Sequence, residues 1–309
     1  MFNLKKIFVL LSFFVSITAF GESSVVTKND VIVSLQETLQ EYIDSREASI
    51  GIAVIINDTD TISINGDKDF PMMSVFKFPL ALSLAHYVDS RGESLNDTIS
   101  VSTEDLKENT YSPMLLKYGR RPLKISLREL LEWSLQESDN NAADILLNYI
   151  GGIDSINEIL REIYTPTPIK IGASEDDMHR NPSLVYINSS TPLAMAELFN
   201  TFMSKKGESE SLKEIAKMME TCKTGANRLK ASLNKSGVLI GHKTGTGDLL
   251  PTGKISAIND CGYVILSDGQ FYSIAVFVVD SSYDMLNTEK IIADRSHAVY
   301  NVVASNSRL

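Results

Sequence analysis

The order of the secondary-structure patterns constrains this chain more than any other feature of its sequence. Near the amino end, a helical pattern over 31–43 precedes strand patterns at 50–56 and 61–64. Strand patterns then return near the carboxyl end, before a closing helix over 285–303, in the segments 238–240, 254–258, 263–266 and 271–279. Strands at both ends with helices between them predict one mostly antiparallel sheet built from both termini. The expected fold class is therefore α/β (α+β), with helices flanking the sheet and an all-helical domain inserted.

The middle of the chain is predicted to be helical. Apolar residues at helical spacing occur in the segments 74–88, 127–135, 142–150, 193–203 and 212–219. Residues 169–190 are polar and lack sustained periodicity, and so long a loop inside a compact domain is usually functional or disordered. We expect an α/β domain from 22–70 and 220–309, and a helical domain over 71–219 that includes the long loop.

The first 21 residues have the layout of a secretory signal peptide. Lys5 and Lys6 precede an apolar stretch over 7–17, and A-F-G at 19–21 is a small-x-small cleavage pattern. An uncleaved anchor is the alternative, but the stretch is short for a membrane span. The sequence therefore predicts secretion into the bacterial periplasm without a stable membrane anchor.

Charge and residue usage exclude several classes of function. Removing the predicted signal peptide takes the formal net charge from −10 to −12, which gives no electrostatic reason to bind nucleic acid. The four His are scattered singly, so we expect no metal site and no cofactor. Cys222 and Cys261 could form a disulfide after export or remain two buried thiols. We expect a monomer.

The segment 74–77, S-V-F-K, places a hydroxyl and an amine on one face of a helix. A serine hydroxyl is a weak nucleophile until a base removes its proton, and a lysine with a depressed pKa is such a base. Ser74 would begin its helix, where its N–H and the helix dipole favour a developing oxyanion. Taken alone, the same pattern also fits a capping serine followed by a surface lysine.

Two further motifs follow in the chain. S-D-N at 138–140 precedes a helix, where alone it would supply only an N-cap. H-K-T-G-T-G at 242–247 follows a β-branched strand, where alone it would be a glycine-rich turn. S-x-x-K, S-D-N and K-T-G in this order form the motif set of class A β-lactamases and penicillin-binding proteins.

The chain resembles the class A serine β-lactamases, and within them the PER, VEB, CepA and CfxA group. The resemblance covers essentially the whole mature chain and rests on P-M-M-S-V-F-K-F-P at 71–79, S-D-N at 138–140, T-G-A-N-R-L-K at 224–230 and G-H-K-T-G-T at 241–246. It implies hydrolysis of the β-lactam amide bond of penicillins and cephalosporins through an acyl-enzyme, and hence antibiotic resistance. The small-molecule β-lactam is the expected partner.

The resemblance also implies a role for each residue of the motifs. Ser74 would attack the lactam carbonyl, with the N–H groups of Ser74 and Thr246 as the oxyanion hole. Lys77 would help to activate Ser74. Ser138 would pass a proton to the departing ring nitrogen, and Lys243 would hold Ser138 in place.

The remaining residues of the resemblance would contact the substrate. Asn140 would bind the side-chain amide of the substrate, while Thr244, Thr246 and Arg228 would meet its carboxylate, for which a guanidinium is well suited. Tyr111 resembles the aromatic wall at the pocket mouth, although an ordinary half-buried tyrosine is equally consistent with the sequence.

The long loop departs from the common family pattern E-x-x-L-N. Glu175 fits the glutamate, which is the base for deacylation, but His179 occupies the usual position of the asparagine. We place His179 with the substrate-contacting residues. Asp144 replaces a common Asn and Asn188 a common Asp, so we expect these two side chains to hydrogen-bond and tie the loop to the helical domain.

Two other functions remain to be separated from this one. A D-alanyl-D-alanine peptidase shares the three main motifs but lacks a deacylating glutamate in such a loop, and Glu175 disfavours it. A secreted binding protein on a decayed hydrolase scaffold would need a broken motif, and the sequence contains none.

Overall fold

A computed structural model of the chain describes residues 27–164, 168–233 and 237–306, so the predicted signal peptide lies outside the described residues. The helices are α1 (Lys28–Asp44), α2 (Lys77–Arg91), α3 (Pro113–Tyr118), α4 (Leu127–Gln136), α5 (Asn140–Ile150), α6 (Ile153–Ile163), α7 (Glu175–Arg180), α8 (Pro192–Lys205), α9 (Glu210–Glu220) and α10 (Met285–Ser305). The strands are β1 (Ser49–Ile56), β2 (Asp60–Ile64), β3 (Phe70–Pro71), β4 (Thr98–Val101), β5 (Leu123–Ser126), β6 (Ser189–Ser190), β7 (Leu239–Thr246), β8 (Ile255–Ile265) and β9 (Phe271–Ser281). Short 3-10 turns cover Met73–Phe76 and Pro182–Tyr186.

Strands from both ends of the chain form a five-stranded sheet in the order β2-β1-β9-β8-β7. Each neighbouring pair is antiparallel, and β1 joins the two ends by pairing along β9, with Ile52 opposite Val276. The predicted fold class, a mostly antiparallel sheet made from both termini with helices between its parts, is confirmed.

Helices cover both faces of the sheet. Along β1, Ile52 and Val54 pack into a core that includes Leu39 of α1, whereas the alternate residues Ala53 and Ile55 pack into the core of the middle helices. Successive strand residues point to opposite faces, so both sets are buried. This explains why β1 is a continuous apolar run rather than an alternating one.

The C-terminal strands differ from the sequence prediction in two places. The strands predicted at 254–258 and 263–266 are one strand, β8, because the polar residues Asn259 and Asp260 between them are fully buried and hydrogen-bonded rather than exposed in a turn. The K-T-G motif lies inside β7 instead of following a strand. Two chemically important segments are therefore rigid sheet.

The segment 169–190 is more ordered than the sequence predicts. It contains α7, the turn Pro182–Tyr186 and the short strand β6, which pairs with β3 beside the start of α2. The sequence analysis also did not predict α3, α6, β4 and β5.

The remaining expectations concern membrane helices and cysteines. Within 27–164, 168–233 and 237–306, no helix is long and apolar enough to cross a membrane. Cys222 and Cys261, for which pairing was left open, are both free and buried.

Candidate active site

Ser74 lies in the 3-10 turn Met73–Phe76, which continues directly into α2. Two sheet residues fix this turn from below. Asn259 Nδ2 donates to the carbonyl oxygens of Pro71 at 2.8 Å and Met72 at 3.1 Å. At Gly245 a side chain would collide with the turn, because a Cβ there would lie 2.4 Å from the Met72 oxygen. The S-x-x-K turn is therefore pressed against β7 and β8.

The fully buried ammonium of Lys77 connects the motifs. Its Nζ lies 3.2 Å from Ser74 Oγ and 2.8 Å from Glu175 Oε1. It also donates to Ser138 O at 2.7 Å and Asn140 Oδ1 at 2.6 Å. Residues from α2, the S-D-N motif and the long loop thus meet at one nitrogen atom.

In the S-D-N motif, the central side chain points into the protein interior and the two outer side chains face the pocket. Asp139 is fully buried and caps α5 by accepting from Ala142 N at 2.9 Å, and it also accepts from Met114 N at 2.8 Å. Ser138 has a left-handed φ of 60°, which is uncommon for a residue with a side chain. The result is that Ser138 and Asn140 both line the pocket.

Lys243 of the K-T-G motif holds Ser138 from the opposite side to Lys77. Its Nζ donates to Ser138 Oγ and to Thr244 O, both at 2.9 Å. Burial, with the nearby charge of Lys77, lowers the pKa of Lys243 to about 7. Ser138 Oγ therefore lies between two buried amines, with Lys77 Nζ at 3.5 Å.

Glu175 is the first residue of α7, and the capping box of Ser174 fixes the start of that helix. The carboxylate is nearly buried, and Ser74 Oγ lies 3.4 Å from Glu175 Oε1. A hydroxyl, an amine and a carboxylate therefore converge at the pocket floor, an arrangement that suits acyl transfer followed by hydrolysis.

Asp144 and Asn188 both anchor the long loop, but not in the predicted way. Asp144 accepts from the backbone N–H groups of Glu175 and Asp176, both at 2.8 Å. Asn188 instead accepts from Gly172 N and Ala173 N inside the loop. Within the part of the chain that the structure describes, no hydrogen bond joins the two side chains, so the predicted direct bond is wrong. Each side chain instead accepts hydrogen bonds from backbone N–H groups, which need an acceptor when they are buried.

Replacing Asp144 should destabilise the loop and the fold together. We expect Asp144→Ala to lower the free energy of unfolding by about 1–3 kcal/mol, because the N–H groups of Glu175 and Asp176 lose their acceptor. Urea denaturation measures this, with Asn148→Ala, an exposed position on the same helix, as the control. An Asp144→Ala protein as stable as the control would contradict the anchoring role.

The other end of the pocket is built around Arg228. Its guanidinium binds Glu289 through Nε at 2.9 Å, the backbone of β7 and β8 through Nη1 at 3.0 Å, and Thr246 Oγ1 through Nη2 at 2.7 Å. An arginine has five N–H donors, and these contacts leave one of them for a ligand. Most of the Arg228 donors therefore hold the surrounding protein, including the Thr246 side chain, in place. One N–H donor remains available to an anion.

The predicted site residues are collected around one cavity of about 1220 Å³. Those lining it are Ser74, Tyr111, Ser138, Asn140, Glu175, His179, Arg228, Thr244 and Thr246. Lys77 and Lys243 lie beneath them, fully buried. Tyr111 is 58% exposed at the rim, and His179 lies in the last turn of α7.

Sequence reasoning missed several residues that hold this site together. Asn157 of α6 exchanges two hydrogen bonds with the backbone of Ile171 in the long loop, and Asn259 and Glu289 support the nucleophile turn and Arg228. The sequence offers one signal, which is the polar pair at 259–260 inside a strand-like region. Across the described residues, no group of His, Cys, Asp and Glu is arranged to hold a metal ion.

Comparisons of the sequence with known proteins point to the same class of enzyme as this arrangement of side chains. A family model described as the beta-lactamase enzyme family matches residues 34–303. The chain is 36% identical to a β-lactamase of Bacteroides uniformis over 94% of this chain and 99% of that protein. It is 35% identical to β-lactamase VEB-1 of Pseudomonas aeruginosa, over 96% of this chain and 97% of that protein.

The chain belongs to the β-lactamase family. A crystal structure of a class A β-lactamase from Bacteroides cellulosilyticus superimposes on this β-lactamase with a TM-score of 0.84 at 35% identity, covering 89% of this chain and 99% of the other. The resemblance to class A β-lactamases, and to the VEB group among them, is confirmed. This enzyme is a class A serine β-lactamase.

Proposed function

We propose that this β-lactamase opens penicillins and cephalosporins through an acyl-enzyme on Ser74 that Glu175 then discharges. The observation that carries the proposal is the contact of Glu175 Oε1 with Lys77 Nζ at 2.8 Å, beside Ser74 Oγ at 3.4 Å. A single carboxylate thus lies within reach of both the nucleophile and the amine that would assist it.

In acylation, Ser74 Oγ attacks the lactam carbonyl as its proton passes to Glu175 Oε1, 3.4 Å away, while the Lys77 ammonium stabilises the developing charge. The carbonyl oxygen becomes an oxyanion, for which the N–H groups of Ser74 and Thr246 are the proposed donors. Ser138, held in position by Lys243 at 2.9 Å, delivers a proton to the leaving ring nitrogen. Lys77 Nζ, 3.5 Å from Ser138 Oγ, returns a proton to Ser138 and regains one from Glu175, so that Glu175 is again a carboxylate. The amide bond breaks and the ester on Ser74 remains.

In deacylation, water attacks that ester. Water is a poor nucleophile near neutral pH, so Glu175 takes its proton as it attacks. The ester bond breaks, Ser74 recovers its proton and the opened product leaves.

The substrate would be oriented by contacts at both ends of the pocket. Asn140 binds its side-chain amide, and Thr244, Thr246 and the free donor of Arg228 bind its carboxylate. Tyr111 and His179 would contact the side chain at the rim.

We further propose that the protein is exported by its signal peptide to the bacterial periplasm, acts there as a monomer and confers resistance to β-lactams. We also propose the domain organisation expected from the sequence, an α/β domain from 22–70 and 220–309 and a helical domain over 71–219.

A chromogenic cephalosporin separates this function from its alternatives. We expect many turnovers per enzyme molecule, seen as continuous colour development with substrate in large excess. One turnover followed by a stall would indicate a D-alanyl-D-alanine peptidase instead, and no reaction would indicate a binding protein.

A further inference from the structure

A hydroxyl on the pocket wall contacts Asn140 but has no role in the proposed chemistry. Asn140 Nδ2 donates to Thr110 Oγ1 at 2.9 Å, while Asn140 Oδ1 accepts from Lys77 Nζ at 2.6 Å. Thr110 lies in the segment between β4 and α3, and it lines the cavity together with Asn140. The side-chain amide of Asn140 is therefore held at both of its polar atoms.

The two partners of Asn140 allow only one orientation of its amide. A lysine ammonium can only donate, so the atom beside Lys77 must be the carbonyl oxygen Oδ1 of Asn140. The amide nitrogen then faces Thr110, whose hydroxyl oxygen carries lone pairs and can accept. The direction of both hydrogen bonds therefore follows from the chemistry of the three side chains.

The segment that carries Thr110 is tied to the start of α5 on both sides of this residue. Before it, Lys107 N donates to Asn141 Oδ1 at 2.8 Å, and Asn141 Nδ2 donates to Lys107 O at 2.9 Å. After it, Asn140 N donates to Tyr111 O at 3.0 Å. Because these bonds bracket Thr110, its hydroxyl is held at a fixed position relative to the Asn140 side chain.

The bond to Thr110 determines where the second N–H group of Asn140 points. A bond at Oδ1 alone would let the amide turn about that atom, whereas a second bond at Nδ2 fixes the amide plane. The two N–H groups of an asparagine diverge within that plane, so the second one points away from Thr110. It has no acceptor in the described part of the chain, and Asn140 lines the pocket, so this N–H is available to a ligand.

We propose that Thr110 is a positioning residue that directs the second N–H group of Asn140 at the carbonyl oxygen of the substrate's acylamino side chain. This inference rests on the proposed binding of that side-chain amide by Asn140. Thr110 acts on the substrate only through Asn140, so it matters only for β-lactams that carry an acyl group on the amine attached to the lactam ring. It therefore contributes to the selection of acylated β-lactams over the free nucleus.

Thr110→Val and Thr110→Ser form the matched pair that tests this role. Valine keeps the branched shape of threonine but removes the acceptor, whereas serine keeps the hydroxyl. Loss of the hydrogen bond that orients the amide should lower kcat/KM for benzylpenicillin about 3–10-fold in Thr110→Val. Thr110→Ser should retain a kcat/KM near that of the wild type, because Asn140 keeps its acceptor.

A substrate without the acyl group provides the control that a merely structural role would not pass. The aminopenicillanic nucleus is benzylpenicillin without its phenylacetyl group, so it offers Asn140 no side-chain carbonyl oxygen. Its kcat/KM should be nearly the same in wild type, Thr110→Val and Thr110→Ser. If Thr110→Val loses the same factor on both substrates, the change disturbs the whole site and the inference is overturned. Unchanged kinetics of Thr110→Val with benzylpenicillin would also overturn it.

Binding measured without turnover separates this inference from the proposed function. In the Ser74→Ala background, calorimetry should show that Thr110→Val weakens the binding of benzylpenicillin about 3–10-fold and leaves the binding of the aminopenicillanic nucleus unchanged. If the wild type hydrolyses neither compound, it is the proposed function that fails, and this difference in binding still decides the role of Thr110. Equal affinities for benzylpenicillin with and without Thr110→Val would contradict that role.

Discussion

Ser74→Ala should abolish hydrolysis of every β-lactam while leaving a folded protein that still binds substrate. Removing the nucleophile of a serine hydrolase lowers kcat on the order of 10⁶-fold, because the remaining groups have no hydroxyl to activate. The fold should survive, since Ser74 is half-buried and makes long hydrogen bonds of 3.2 and 3.4 Å to Lys77 and Glu175.

Hydrolysis of a chromogenic cephalosporin, with thermal unfolding recorded in parallel, measures this effect. Ser90→Ala is the matched control, because Ser90 is an exposed serine on α2, the helix that follows Ser74, and this variant should turn over at the wild-type rate. Residual turnover by Ser74→Ala within a factor of about ten of wild type would rule out Ser74 as the nucleophile.

Glu175→Gln should separate the two halves of the reaction. In the proposed mechanism, acylation uses Lys77, Ser138 and Lys243, which belong to motifs that β-lactamases and penicillin-binding proteins share, so those residues do not explain rapid release of the acyl group. The proposed base Glu175 would explain rapid release, because a positioned carboxylate activates the attacking water and general-base catalysis is worth about 10²–10⁴-fold. We therefore expect Glu175→Gln to react with a good cephalosporin and then to accumulate the acyl-enzyme.

Asp176→Asn is the control for this variant. Asp176 adjoins Glu175, but its carboxylate faces Arg180 at 3.2 Å rather than Ser74, so the control should turn over normally. Slower acylation in Glu175→Gln would be compatible with the account, because this glutamate also lies beside Ser74. Deacylation of Glu175→Gln at the wild-type rate would contradict it.

The fold could be predicted from the positions of the strand patterns, because a β-branched run such as β1 has few alternatives. The single strand β8 could not, since Asn259 and Asp260 have the composition of a turn. Both are buried in a strand because each has a specific partner that is distant in sequence. Asn259 binds the turn before Ser74, and Asp260 binds His242.

The residues that meet at the site could be predicted from short motifs, whereas the residues that support them could not. Ser74, Lys77 and Ser138 belong to local patterns, and the structure brings them within hydrogen-bonding distance. Asn157 lies within a helix and donates a hydrogen bond to the backbone of the long loop. No sequence pattern predicts which residue contacts that loop, so only the tertiary structure reveals this contact. The α6 helix itself has a signal, because its buried residues Ile156 and Leu160 are four apart.

Asp144 of α5 and Asn188 of the long loop show the same limit of prediction from sequence. The substitutions at 144 and 188 are visible in the sequence, and they do mark loop anchors. Their partners are backbone N–H groups, which are identical for every residue and carry no sequence signal.

Peptide mapping of the adduct trapped in Glu175→Gln tests the central claim most directly. After mixing with a cephalosporin, intact mass spectrometry should show nearly all of the variant carrying one acyl group, with little on the wild type. Proteolysis should then place that group on the peptide containing Ser74. An adduct on any other residue, or a variant that carries no adduct while still hydrolysing the cephalosporin at the wild-type rate, would contradict an acyl-enzyme on Ser74 that Glu175 discharges.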